Sequence, residues 1–280
     1  MKEKVCVIIR VYNRILDLEY NLEIIRKTWS ANDYYIIVSS NGEQDGFVIT
    51  DKIKSLSDNV FKFEGNSGHL KGNSLLLLQA IPYIPDDCEY TLLLEADTWL
   101  YKDHLICQYI ERLKNENAVW ASAKWYDRFY SLATDFAIVN SDFLKKNENI
   151  LDFGIYPETY VATYLHEVNA SWVYIRENMP VQIAGYLKCL PYAPYGRFYV
   201  YPYSNMVTHH IEHYKDGMAK KKRDFNALSN NFFEDCKVLF PMITKMWMKW
   251  VVAISLLLPR RSWIGKNEYR DENKKYNAFS

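Results

Sequence analysis

The chain has little of what marks several functional classes at once. Lys plus Arg equals Asp plus Glu at 34 each, so no charge imbalance points to nucleic acid or to an acidic partner. Its five cysteines (Cys6, Cys88, Cys107, Cys189 and Cys236) are odd in number, scattered, and never spaced C-x-x-C. That argues against a disulfide framework or a zinc site and for a reducing compartment. There is no internal repeat and no low-complexity segment. No apolar signal segment precedes the first strand-like run, so the expectation is a cytoplasmic protein. Aromatic residues, by contrast, abound: 23 Tyr, 13 Phe and 8 Trp in 280 residues. Such side chains suit sugar-stacking clefts, membrane interfaces or simply a well-filled core.

Taken in order, the chain alternates strand and helix patterns. Val5 to Val11 reads as a buried strand rich in β-branched residues, broken by Tyr12-Asn13-Arg14. A helical pattern follows from Ile15 to about Trp29, with Leu18, Leu22, Ile25 and Trp29 at core spacing. Tyr34 to Ser39 is a second strand, closed by the turn signal Ser40-Asn41-Gly42. Residues 46 to 57 read as helix, Val60 to Phe63 as a third strand, and Leu75 to Ile81 as a helix stopped by Pro82 and Pro85. After a fourth strand come a helix at about 102–115, strands at 118–125 and 134–140, and a mostly helical stretch from 141 to 166. Asn178 to Pro202, rich in Pro, Tyr and Gly, reads as irregular. This succession predicts an α/β fold with a mainly parallel, doubly wound sheet.

The fourth strand is the informative one. Thr91 to Leu94 is almost wholly apolar and ends abruptly on Glu95-Ala96-Asp97. Strand alternation would send both carboxylates to one side, at the carboxyl edge where open α/β sheets bind ligands. Two acids so close repel each other, and a hard cation between them is the simplest relief.

Three elements then resemble one family. Val7-Ile8-Ile9-Arg10-Val11-Tyr12-Asn13-Arg14 is similar to the opening V-I-I-P-x-Y-N-R of GT-A glycosyltransferases. Asn66-Ser67-Gly68 and Lys71-Gly72-Asn73 resemble that family's N-x-G and G-N elements, and Glu95-Ala96-Asp97 falls where it carries D-x-D. The resemblance covers roughly residues 4 to 100. It implies a GT-A-like, Rossmann-type sheet flanked by helices, with a helical C-terminal segment. It further implies transfer of a sugar from a nucleotide-sugar donor to a glycan or glycolipid acceptor, assisted by Mn²⁺ or Mg²⁺. Asp97 would hold the metal, and Glu95 would hold it directly or through water, or face the donor's ribose. Val11, Tyr12, Asn13 and Arg14 would line the nucleotide pocket, together with Asn41, Lys71 and Ala96. The second strand ends in Ser39-Ser40-Asn41, without the acidic residues that the family commonly sets near base and ribose. That departure weakens a specific expectation of a UDP-sugar.

The second half resembles the family less. Glu158, after Pro157, is the expected acceptor-side base of an inverting mechanism, with Asp135 and Glu167 as weaker contenders. A late histidine as metal ligand is expected at His209 or His210, with His213 on the same face as His209 if the segment is helical. The basic run Lys220 to Arg223 reads as a diphosphate clamp, a lipid-headgroup contact or an exposed helix face.

Residues 1–225 are thus expected to form the catalytic domain and 226–280 a C-terminal appendage. Within it, Val238 to Leu258 is apolar with Lys245 and Lys249 near the middle, followed by Arg260, Arg261 and Trp263. Two lysines in a spanning helix would each cost about 2.5–3.5 kcal/mol. An interfacial helix at the inner face of the membrane fits better, with packing on the domain or in a homodimer as the alternative. Rival readings are a nucleotidyltransferase of similar fold and a catalytically inactive glycan-binding or scaffold protein. The first usually has a glycine-rich basic loop after strand one, and Tyr12-Asn13-Arg14 has no glycine.

Overall fold

The computed structural model describes residues 2–125, 130–154, 156–179, 199–208 and 217–257, with His69 and Leu256 described in backbone only. The chain divides into two compact units. Residues 1–123 and 132–175 form the first; residues 124–131 and 176–280 form the second. The expected boundary at 225/226 falls inside a helix of the second unit, Gly217–Ser229.

The first unit is built on a seven-stranded sheet. Its elements run β1 (Lys4–Val11), α1 (Ile15–Thr28), β2 (Asp33–Ser40), α2 (Asp51–Leu56), β3 (Asn59–Lys62), α3 (His69–Ala80), β4 (Tyr90–Glu95), β5 (Trp99–Leu100), α4 (His104–Asn115), β6 (Trp120–Ser122), β7 (Phe136–Asn140), α5 (Ser141–Lys146), α6 (Pro157–Glu167) and β8 (Trp172–Tyr174). The sheet order is β3-β2-β1-β4-β7-β6-β8. Only β7 runs against its neighbours; the remaining pairings are parallel. The expected α/β sheet, mainly parallel and flanked by helices, is what the chain forms.

Burial explains why the strands read as unbroken apolar runs. Val5 through Val11 are all buried, because β1 lies between β2 and β4 and helices cover the sheet. One face carries Cys6, Ile8, Ile37, Leu93, Ala137 and Val139 against Leu77 and Ala80 of α3, Leu144 of α5 and Leu165 of α6. Each large aliphatic buried there contributes roughly 1.5–3 kcal/mol relative to exposure. Cys6 belongs to this core, where burial pushes its thiol far above the ordinary range. Cys88 and Cys236 are pushed up to about 11 by burial, so neither offers a thiolate at neutral pH.

The order of strands reverses between β1 and β4. β1 leads to β2 on one side, while β3 crosses back to β4 on the other. Open α/β sheets bind ligands at such a switch point, which here is the carboxyl ends of β1 and β4. Antiparallel β7 starts at the same edge, so residues 132–135 enter beside it.

The described part of the second unit holds the antiparallel pair β9 (Tyr199–Tyr201) and β10 (Met206–Thr208), then α7 (Gly217–Ser229) and α8 (Pro241–Leu256). The basic run on α7 is only partly an exposed face, with Arg223 exposed. Lys221 and Lys222 are buried, Lys220 pairs with Asp224 at 2.6 Å, and Lys222 pairs with Asp235 at 2.8 Å. α7 packs on α8, and a basic side chain turned inward needs such partners. Pro241 occupies the first turn of α8, where a missing N–H costs nothing.

Candidate active site at the ends of β1 and β4

β4 stops at Glu95. Ala96 and Asp97 form a turn, closed by the Thr98 backbone N–H donating to the Glu95 carbonyl at 3.0 Å. Strand alternation therefore does not run through Asp97, and the two carboxylates go to different partners. The reason lies in α1. Asn21, wholly buried, donates its Nδ2 to the carbonyls of Ala96 at 3.2 Å and Thr98 at 2.9 Å. The Trp99 indole donates to the Asp17 carbonyl, and the Trp29 indole donates to the Leu100 carbonyl. Backbone acceptors that a continuing strand would give to a neighbour are taken by one helix.

Glu95 is in register with Arg10 on the adjacent parallel strand. Arg10 Nη2 donates to Glu95 Oε1 at 2.5 Å, and Nη1 donates to the Thr134 carbonyl at 2.9 Å. Asp97, also buried, has Arg14 Nε 4.0 Å from its Oδ2. The repulsion that the sequence suggested a cation must relieve is thus relieved by two arginines. Arg10 stands where the resembling motif has proline. It commits Glu95 to an ion pair within the sheet, while Asp97, the more buried of the two acids, lies beside Arg14 of the loop after β1.

The residues expected to line a nucleotide pocket are placed as follows. Val11 ends β1 and is buried, while Asn13 is exposed. The Tyr12 hydroxyl donates to Asp45 Oδ2 at 3.1 Å, and its ring meets Phe47 edge-on at 5.1 Å. Asn41 Nδ2 donates to the Gly65 carbonyl at 3.3 Å, while its buried Oδ1 accepts no hydrogen bond among the described residues. Gly42 lies so close beneath Tyr12 that a Cβ on it would stand 2.1 Å from the Tyr12 carbonyl oxygen. Gly42→Ala is therefore expected to displace the Tyr12–Arg14 loop, lowering stability by about 1–3 kcal/mol. A urea melt checks the stability, and nucleotide-induced thermal shifts should shrink with it.

Asn66 orders the next loop: its Oδ1 accepts from the Gly68 N–H at 3.0 Å, and Gly68 at φ 85° opens α3. Asn73, the last residue of the G-N element, lies inside α3. Lys71 is in the first turn of α3, and its ammonium pairs with Asp152.

Glu158, the expected acceptor-side base, sits in the first turn of α6, after Tyr156 in a left-handed conformation. Its carbonyl accepts from the Leu132 N–H at 2.9 Å. Residues 132–135 in turn reach the end of β4, since the Asp135 carbonyl accepts from the Glu95 N–H at 2.9 Å. Glu167 lies at the opposite end of α6 and is exposed, roughly 14 Å along the axis from Glu158. His209, His210 and His213 lie outside the described residues. Among the described residues, no three His, Cys, Asp or Glu side chains gather as a metal-binding group. A cation held largely by phosphate and water needs only one or two protein carboxylates, and Asp97 would offer one.

Reading by period passed over Arg10, Asn21 and Gly42. The signal for the first two was a polar residue at a core-spaced position, Arg10 inside an apolar strand and Asn21 beside Leu18 and Leu22 on a helix face.

No family model and no curated protein matches the chain. Among solved structures, the mannosyltransferase from Pyrobaculum calidifontis in complex with GDP-Man and Mn²⁺ aligns with 64% of this chain and 56% of its own, at 13% identity and TM-score 0.48. S. aureus TarS in complex with UDP-GlcNAc aligns over 64% of this chain and 57% of its own, at 17% identity and TM-score 0.44. The 4-diphosphocytidyl-2C-methyl-D-erythritol synthase from Anaerococcus prevotii aligns over 62% of this chain and 89% of its own, at 12% identity and TM-score 0.44. The chain spans little more than half the length of the first two. These are likenesses of chain trace, and the functional reading stands on this chain's own strand ends.

Proposed function

We propose that the chain is a glycosyltransferase, moving a sugar from a nucleotide-sugar donor to a glycan or lipid-linked acceptor. The observation that carries this is the meeting of Asp97 and Arg14, 4.0 Å apart, at the switch point of an open α/β sheet. A carboxylate and a guanidinium there suit a donor diphosphate from two directions. Arg14 offers planar donors to phosphate oxygens. Asp97 would hold Mn²⁺ or Mg²⁺, which when bound supplies Lewis-acid stabilisation to the departing diphosphate. The Asn41 carbonyl oxygen, buried beside the Tyr12 loop, suits a donor group on the nucleobase. Glu158 is the proposed base for the acceptor hydroxyl. Glu95 serves the site from beneath, through Arg10. The loop after β1 carries no glycine, which disfavours the nucleotidyltransferase alternative.

The test is a panel of GDP-, UDP-, CMP- and dTDP-sugars, scored for thermal stabilisation and for Mn²⁺-dependent hydrolysis. At least one donor should raise the melting temperature and release its nucleoside diphosphate or monophosphate. Stabilisation without turnover against any acceptor would favour the inactive binding protein. No response from any nucleotide, with or without metal, refutes the transferase reading.

A further inference from the structure

The second unit carries a feature unconnected with sugar transfer. α8 buries one stripe, Met248, Val251, Val252 and Ser255, and packs against α7. Its opposite side is apolar too, and it is exposed. Ile243, Met246, Trp247, Trp250, Ile254 and Leu257 recur three and four residues apart, so they form one continuous face. Trp250 is 63% exposed, and Met242, just N-terminal, is 76% exposed. Single exposed hydrophobic residues are ordinary, but a face running the length of a 16-residue helix, about 24 Å, is not.

The start of α8 is held firmly. Asn226 of α7 donates its Nδ2 to the Phe233 carbonyl and accepts from the Phe233 N–H, both at 2.7 Å. Asn231 accepts from the Val238 N–H at 2.7 Å and donates to the Val238 carbonyl at 2.9 Å. Such fixing keeps the face presented rather than folded away.

Charge names the occupant. Residues 237–267 contain no Asp or Glu but six basic residues: Lys237, Lys245, Lys249, Arg260, Arg261 and Lys266. Lys245 and Lys249, four residues apart, share one side of α8 between the buried stripe and the exposed face, both half-buried, and Lys249 lies over the Tyr203 ring at 5.3 Å. A second copy docked through this segment would bring only more basic residues to it, with no acid in the segment to neutralise the lysines. An anionic bilayer neutralises them and accepts the tryptophans at its headgroup boundary. The helix itself does not cross: among the described residues, none is long and apolar enough to span a membrane. We propose that α8 docks this protein on an anionic membrane surface, lying in the interface with the Ile243–Leu257 face in the acyl boundary.

Full-length protein is mixed with sucrose-loaded phosphatidylcholine vesicles, with and without phosphatidylglycerol, and sedimented. Binding to the anionic vesicles is expected, with a blue shift of tryptophan emission and weakening by added salt. Lys245→Gln and Lys249→Gln should each weaken anionic binding about fivefold. Trp250→Glu and Ile243→Glu should each weaken it by at least about tenfold, with unchanged circular dichroism because both side chains are exposed. Absence of binding to anionic vesicles overturns the proposal. So does a dimer in sedimentation velocity that Trp250→Glu disperses, which would assign the face to a second copy. Vesicle binding needs no sugar donor, so this result stands or falls apart from the transferase reading.

Discussion

Asparagine at position 97 is expected to lower kcat/KM for donor turnover by about 10²–10³-fold while leaving the fold intact. The substitution keeps the size of the side chain and removes only its charge. That charge lies in a turn, not in the sheet ladder, and Asn21 and the Thr98 N–H hold the backbone of that turn whatever the side chain at 97. Stability should therefore change little. What should fail is the hold on the cation that neutralises the departing diphosphate. A Mn²⁺ titration of the residual activity separates this from a general defect, because the apparent metal affinity should fall along with kcat. Wild-type turnover with an unshifted Mn²⁺ dependence would remove Asp97 from the site.

Replacing Arg10 should act on stability instead. Its side chain is 2% exposed and sits between Glu95 and the Thr134 carbonyl. Arg10→Met strands a carboxylate that is itself only 24% exposed. Breaking such a pair from one side costs about 3–5 kcal/mol, and the partial exposure of Glu95 points to the lower end. In a chain of this size that corresponds to a fall in melting temperature of roughly 6–12 °C. The double variant Arg10→Met, Glu95→Leu removes both charges and should recover most of the loss, because the desolvation cost disappears with the attraction. Calorimetry on the two variants measures this directly. The double variant also decides the role of Glu95: retained Mn²⁺-dependent turnover confines that carboxylate to support, whereas lost turnover in a stable protein makes it a ligand.

These two predictions divide a motif that looks like one unit in the sequence. Glu95 and Asp97 are two residues apart, both acidic, both at the end of an apolar run. The structure gives Glu95 to a neighbouring strand and Asp97 to the loop that follows it. Acidic spacing alone cannot tell these fates apart, since each depends on an arginine more than eighty residues away. The basic run on α7 teaches the same lesson from the other sign. Lys220 to Arg223 looks like a solvated cluster, yet Lys221 and Lys222 are buried and partners such as Asp235 lie beyond the run.

What the sequence determined by itself is the order of elements and the edge at which they end. Val5–Val11 and Thr91–Leu94 are buried strands because continuous β-branched and aliphatic runs can be hidden only inside a covered sheet. The α8 segment also declared itself as an apolar helix carrying two lysines near its middle, because period is a local property. Tertiary structure decided the rest: that Arg10 supports Glu95, that Asn21 turns the chain before Asp97, and that Gly42 admits the Tyr12 loop. It also decided that one apolar side of α8 packs on α7 while the other stays open. The reason is common to all of them. A hydrophobic period states which side of an element is buried, but a counter-charge, a clamp or a close backbone approach belongs to two distant segments, and only the folded chain brings them together.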